Sequence, residues 1–267
     1  MAVKQAFPLQ RLSLLEVPVD DSGLFPNGFP AGMHPVLVNI GLAADIRMSA
    51  LQLRSGLKQG SVYATYVSQN GKTTPLAAAL NIYVAGENGP LPGGLVPATA
   101  SPLLFAGNII RLGQFSPEAL PHKLDVEGIL TSQAKWALLP NPISGPGIYP
   151  EAIDLSFHKH EASSQFTVKT FKSLINQPQI VPSGLCTRRQ LYFTNATASV
   201  SFATGNVTLG PAASGYGIFK GALMQASPGG DGLYTNVEGF GGCAQNVGFP
   251  PETCEQAGKS LDRSALV

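Results

Sequence analysis

The stretch SVYATYVSQNGKTTPLAAALNIYVAG, residues 61–86, decides the fold. Asn70-Gly71 is a type I′ turn signal, and it lies between two apolar, β-branched and aromatic arms. Val62, Ala64 and Tyr66 would share one face of the first arm, with Tyr63, Thr65 and Val67 on the other. The segment therefore predicts a β-hairpin.

Upstream, PVLVNIG (35–41) predicts a buried strand. The segment LAADIRMSALQLRSGLKQG (42–60) places Leu42, Ile46, Leu53 and Leu57 near helical spacing and predicts the main helix, stopped at Gly60. Residues 1–33 end in GLFPNGFPAGMHP, whose prolines and glycines predict an extended arm. Downstream, strands are predicted at 107–115, 123–130, 133–140, 152–160, 164–171, 189–200 and 205–210. The tail after Asp231 is expected to be glycine-rich and irregular. The expected organisation is an extended arm (1–33) followed by a single β-rich α+β domain (34–267). Its mainly antiparallel sheet would close as a barrel or double sheet around an apolar cavity, with one or two helices.

Composition agrees with this class. Among 267 residues there are 30 glycines and 22 prolines, and only 12% are charged. The formal net charge is +1, and the basic residues are scattered, with Arg188-Arg189 the densest pair. Such a chain carries no electrostatic footprint for nucleic acid or for an anionic membrane. No apolar run approaches the roughly 18 residues of a membrane span. The expectation is a soluble protein, cytosolic or secreted with its signal removed, and a possible homo-oligomer.

The cysteines are Cys186, Cys243 and Cys254. Cys243 and Cys254 bracket a short segment and are the expected disulfide pair, which would imply an oxidising compartment. Asn195-Ala-Thr and Asn206-Val-Thr are glycosylation sequons, relevant only on a secretory route. No zinc spacing is present.

The densest chemical candidate is DLSFHKHE (154–161). In a strand Asp154, Ser156, His158 and His160 face one way, and Ile153, Leu155 and Phe157 the other. Two histidines at i and i+2 suit an acid–base pair or half of a metal site, which His34, His122 or a distant carboxylate would have to complete. A polar outer strand face has the same pattern. Arg111, among apolar neighbours in GNIIRLGQF, is expected to be paired or to face a ligand if it is inside, the alternative being an edge or outward-facing arginine. Tyr63, Tyr66, Tyr83 and Tyr149 could donate hydrogen bonds in an apolar pocket. Asp45, Arg47 and Trp136 complete the candidate binding groups. The expected catalytic set is His158, His160, Arg111 and Tyr66. The expected substrate-binding set is Asp45, Arg47, Tyr83, Trp136 and Asp154. Neither cofactor nor metal is assigned, since nucleophile-elbow, HExxH, P-loop and Rossmann patterns are missing.

The order HPVLVNIG, AADIRMSALQLRSGL, then GSVYATYV and NIYVAG resembles the front half of the acetoacetate decarboxylase superfamily. GNVTLGPAASGYGIFKGALMQA (205–226) is similar to the end of that fold. The resemblance implies a cone-shaped β structure around an apolar cavity. It carries over no catalytic residue, because the chain has no adjacent Lys-Lys pair. NPISGPG (141–147) and SLINQPQIVPSGLC (173–186) are similar to fungal sequences. Two functions are therefore expected as alternatives. One is a cofactor-independent lyase, isomerase or cyclase acting on a small apolar, keto-acid-like or polyketide-like molecule. The other is a secreted binding or structural β module.

Overall fold

The computed structural model describes residues 1–16, 25, 29, 32–48, 51–53, 56–86, 110–138, 147–160, 166–193, 200–214, 221–262 and 265. In chain order the elements are α1 (Ala2–Ala6), β1 (Leu12–Leu14), β2 (Val36–Ala43), β3 (Ile46–Met48), β4 (Leu51–Leu53), β5 (Leu57–Gln69), β6 (Leu76–Gly86) and β7 (Ile110–Ser116). Then come β8 (Lys123–Leu124), β9 (Ile129–Trp136), β10 (Glu151–His160), α2 (Val168–Ile175), β11 (Gln179–Ile180), β12 (Cys186–Thr187) and β13 (Arg189–Tyr192). The last are β14 (Ser201–Leu209), α3 (Ala222–Gln225), β15 (Leu233–Gly241), β16 (Gln245–Gly248) and α4 (Cys254–Lys259).

The hairpin β5–β6 forms as expected. Asn70 (φ 55°) and Gly71 (φ 73°) are both left-handed, and the Lys72 N–H donates to the Gln69 carbonyl at 3.1 Å. This is the type I′ geometry that Asn-Gly favours. Along β5 an unbroken run from Gly60 to Ser68 is buried, because both faces are covered. The sheet runs β1-β5-β6-β7-β9-β10-β14-β15, with β2 on the β5 edge, and curls into a half-barrel. Its pairings are antiparallel except β6–β7 and β6–β11. The class is β-rich α+β, as the sequence predicts.

One face holds the core. Gly60, Tyr83, Phe115, Ala134 and Ile153 meet across the strands, and a Cβ on Gly60 would lie 3.2 Å from Phe115 and from Ala134. Burial of these side chains stabilises the sheet by roughly 1.5–3 kcal/mol for each large apolar group.

Five expectations are corrected. The helix predicted at 42–60 is absent from its described residues. There β2 runs on to Ala43, which pairs with Leu57 of β5, and β3 and β4 form a hairpin beyond. Ile46/Met48 and Leu51/Leu53 alternate with period two, and eight consecutive pairings from Val36 to Ala43 along β5 outweigh a loose helical spacing.

The strand predicted at 164–171 gives way to helix α2. Thr167 caps it: its Oγ1 accepts the Thr170 N–H at 3.0 Å, and Thr170 Oγ1 accepts the Thr167 N–H at 3.2 Å. Both orphan donors are thereby satisfied at a helix start.

The tail is ordered as β15, β16 and α4, not irregular. Gly239 fits its strand because Phe157 lies over it. A Cβ on Gly239 would sit 2.6 Å from the Phe157 ring.

The arm is docked rather than merely extended. It contains α1, buries Phe7 and Leu12, and adds β1 antiparallel to β5. Phe25 packs edge-on against Tyr66 at 5.7 Å.

Finally, Cys254 bonds Cys186, 68 residues away, and Cys243 is free and exposed. An isolated bridge Cys186↔Glu252 and the α4 cap at Thr253 bring Cys254 against β12. Contact along the chain favoured Cys243, but the fold presents Cys186.

Candidate functional site

Tyr83, Arg111 and Trp136 come together on the core face. Tyr83 and Arg111 are directly paired between β6 and β7. Arg111 is only 8% exposed, donates through Nη1 to Asn81 Oδ1, and lies 5.2 Å from the Trp136 ring centre. Asn81 Nδ2 donates to the Ala212 carbonyl at 2.6 Å, and the Tyr83 hydroxyl donates to the same oxygen. Burial pushes the Tyr83 phenol well above its ordinary range, while the Arg111 charge opposes that shift. The cluster ties the turn after β14 to the middle of the sheet. Its polar groups serve one another, as buried polar groups must.

The other expected catalytic residues lie elsewhere. Tyr66 is buried in left-handed backbone (φ 48°) at a register shift of β5, where its N–H donates to Gln177 Oε1 at 3.0 Å. His158 is exposed on β10. His160 bonds Thr204 Oγ1 at 2.8 Å and stacks on Phe202. Asp154 is exposed, accepts from Gln133 at 3.3 Å, and has its carboxyl raised by desolvation above all. His34 contacts the Thr65 carbonyl and His122 is exposed, so neither joins the β10 pair. Among the described residues no three metal-ligating side chains gather. Asp45 is exposed in a turn with φ 50°, and Arg47 falls within β3, its side chain outside the described ones. Asn206 is exposed on β14, while Asn195 lies outside the described residues.

The opposite face of the sheet carries a feature the sequence shows only in fragments. Antiparallel pairing sets Leu37 beside Tyr63 and Asn39 beside Ser61. Over them lie the end of α2 and strand β13. Asn176, just after α2, joins these two: its Nδ2 donates to the Lys172 carbonyl at 2.9 Å, and its Oδ1 accepts the Leu191 N–H at 2.7 Å. Arg189 is thereby placed to donate to Gln59 Oε1 at 3.3 Å. Its neighbour Arg188 instead bonds Glu252 at 2.5 Å and stacks on Phe249. Successive residues of an extended chain point opposite ways, so the basic pair divides between two sites.

Between these elements lies a recess of about 30 Å³, whose polar lining is Asn39, Ser61, Tyr63, Gln179 and Arg189. That is room for one or two water-sized groups. Tyr63 is 5% exposed, and its buried hydroxyl has no hydrogen-bond partner among the described residues. An unsatisfied buried hydroxyl costs roughly 1–3 kcal/mol. Tyr63 was legible as a possible donor. Ser61 and Arg189 were not, because they are brought together from points 128 residues apart in the chain.

One more buried group lies on the core face. Lys58 is 1% exposed, donates through Nζ to the Pro117 carbonyl, and sits 5.4 Å from the Phe115 ring centre. Desolvation lowers its pKa, and Glu118 opposes that shift. Among the described residues no helix is long and apolar enough to cross a membrane. Comparison with family models, with curated proteins and with solved structures returned no match.

Proposed function

We propose that this chain is a β-sheet binding module that holds a small ligand in the recess beside Tyr63 and does not transform it. The observation that carries the reading is a recess lined by Arg189, Ser61, Asn39 and Gln179 together with Leu37, Leu174 and Leu191, where the sheet, α2 and β13 meet. The groups best suited to proton transfer support it from the other side: Arg111 is held by the Asn81 network, whereas His158 and His160 lie on β10. The buried Cys186–Cys254 bridge and the exposed sequon at Asn206 favour work in an oxidising compartment. The test is a fragment panel of neutral, cationic and anionic small molecules, followed by the NMR signals of the Tyr63 ring. Saturable binding of any class at Tyr63, with the fragment recovered intact, is expected. Binding only elsewhere, or chemical turnover of the fragment, overturns the reading.

A second reading keeps the enzyme alternative and the resemblance to the acetoacetate decarboxylase superfamily. It is favoured by one observation, the desolvated Lys58 amine on the core face. A neutral amine can attack a keto-acid carbonyl and lose water to form an imine. Borohydride with acetoacetate should then add a reduced adduct to Lys58, visible by peptide mass. An unmodified Lys58 under those conditions removes this reading.

A further inference from the structure

We infer that the recess is a halide site, holding one chloride-sized anion between the Arg189 guanidinium and the side chains of Ser61, Asn39 and Gln179. This rests on the binding-module reading and names the ligand class for the same cavity.

Pairing across the sheet gathers the donors on one face. Asn39 of β2 and Ser61 of β5 are direct cross-strand partners and both line the recess, so their side chains stand together under α2 and β13. Gln59 lies two residues before Ser61 in the same strand and therefore shares that face. Its Oε1 accepts from Arg189 Nη2 at 3.3 Å, which anchors the guanidinium head over the sheet. That bond uses one of the five N–H donors of the group. Gln179 adds its side-chain amide from β11.

The charge of the lining selects an anion. Arg189 is the one charged residue among those that line the recess, and among the described residues it forms no ion pair. Its neighbour Arg188 takes Glu252 instead. Ser61, Asn39 and Gln179 can each donate an O–H or N–H. Carbonyl oxygens at the end of α2 would repel an anion, but they are occupied. The Lys172 oxygen accepts from the Asn176 N–H and from Asn176 Nδ2, and the Leu174 oxygen accepts from the Gln177 N–H. The apolar wall of Leu37, Leu174, Ile175 and Leu191 lowers the local dielectric constant, which strengthens the pull of the guanidinium.

The room selects the ion. A volume of about 30 Å³ admits one or two water-sized bodies. A single chloride takes little more than the place of one water, whereas acetate, sulfate and phosphate each carry several heavy atoms and do not fit.

Sodium chloride and sodium bromide are the probes, and sodium acetate is the control of equal charge and larger size, all at one ionic strength. Titration of the oxidised full chain from halide-free buffer should shift the Arg189, Asn39 and Gln179 side-chain N–H signals saturably with both halides and not with acetate. The protein should also broaden the chloride NMR line, and bromide should reverse that broadening. Ser61→Ala should weaken halide binding about tenfold, and Arg189→Met by about ten- to a hundredfold. Ser61→Ala deletes one oxygen, so it keeps the test decisive if Arg189→Met fails to fold. Unchanged halide binding in Ser61→Ala overturns the assignment. Equal shifts with acetate show charge screening only and overturn it too. Methanol seated in the recess with both halides excluded overturns the halide class and leaves the module reading intact. Absence of halides and of every neutral fragment from the recess overturns both.

Discussion

Replacing Cys186 by alanine removes the bridge that ties α4 to β12. The bridge spans 68 residues, and closing a loop of that length restrains the unfolded chain by about 4.4 kcal/mol at 25 °C in the chain-entropy relation. For 267 residues the unfolding entropy near the midpoint implies a fall in Tm of about 8 °C. The released chain exposes more surface when unfolded, so the urea m-value should rise as well. Three single variants separate this pairing from the local one. With Cys186–Cys254 bridged, Cys186→Ala and Cys254→Ala lose comparable stability, and Cys243→Ala, altering an exposed free thiol, changes it by under about 0.5 kcal/mol. A Cys243–Cys254 bridge closes a loop of 11 residues, worth only about 2.8 kcal/mol, and would make Cys243→Ala the damaging change. The assay is urea unfolding of each oxidised variant followed by fluorescence, with peptide mapping under non-reducing conditions. Destabilisation by Cys243→Ala equal to that by Cys254→Ala would refute the reasoning, and so would an undiminished midpoint in Cys186→Ala.

Three further outcomes are expected. Gly205→Ala places a Cβ 2.0 Å from the Ser156 carbonyl oxygen and 2.7 Å from the Phe157 Cα, so it should destabilise by at least about 2 kcal/mol; an unchanged unfolding midpoint contradicts that packing. Burial lowers the pKa of His34 below its ordinary 6.5, against the opposing Thr65 carbonyl contact. Its contribution to stability is therefore present above pH 6.5 and lost as the pH falls through the lowered folded value. Urea midpoints should fall from pH 8 to pH 5, and His34→Gln should reduce that slope; an equal slope in the variant would exclude His34 as a source, leaving His122, which is also lowered by desolvation first and by Lys159 second. Passage through a eukaryotic secretory route should add a glycan at exposed Asn206, removed by a glycan amidase and abolished in Asn206→Gln; a mass equal to the bare chain shows that the sequon is not used.

Local rules were enough for the β class, the turn at Asn70-Gly71 and the strand Glu151–His160, because period-two alternation and an Asn-Gly turn act between neighbours. For Arg111 the sequence showed only that it would need a partner if it lay inside; its burial was not legible. Nor was its partner, since Asn81 lies 30 residues away. The segment 42–60 was misread for a related reason: spacing alone fits helix and strand, and the long pairing of β2 with β5 settled it. Segment 164–171 carried its answer in the Thr167 capping box, a local signal that apolar alternation masked. Tertiary structure alone chose Cys186 over Cys243 and split Arg188 from Arg189. It also placed Arg189 over Tyr63 and Ser61. Those choices depend on surfaces meeting across 64 to 130 residues, as in Arg188–Glu252 and Arg189–Gln59, and no short-range pattern encodes such distances. The hairpin 61–86 is thus written in its own residues, whereas the recess on its outer face exists only once α2 and β13 have docked there.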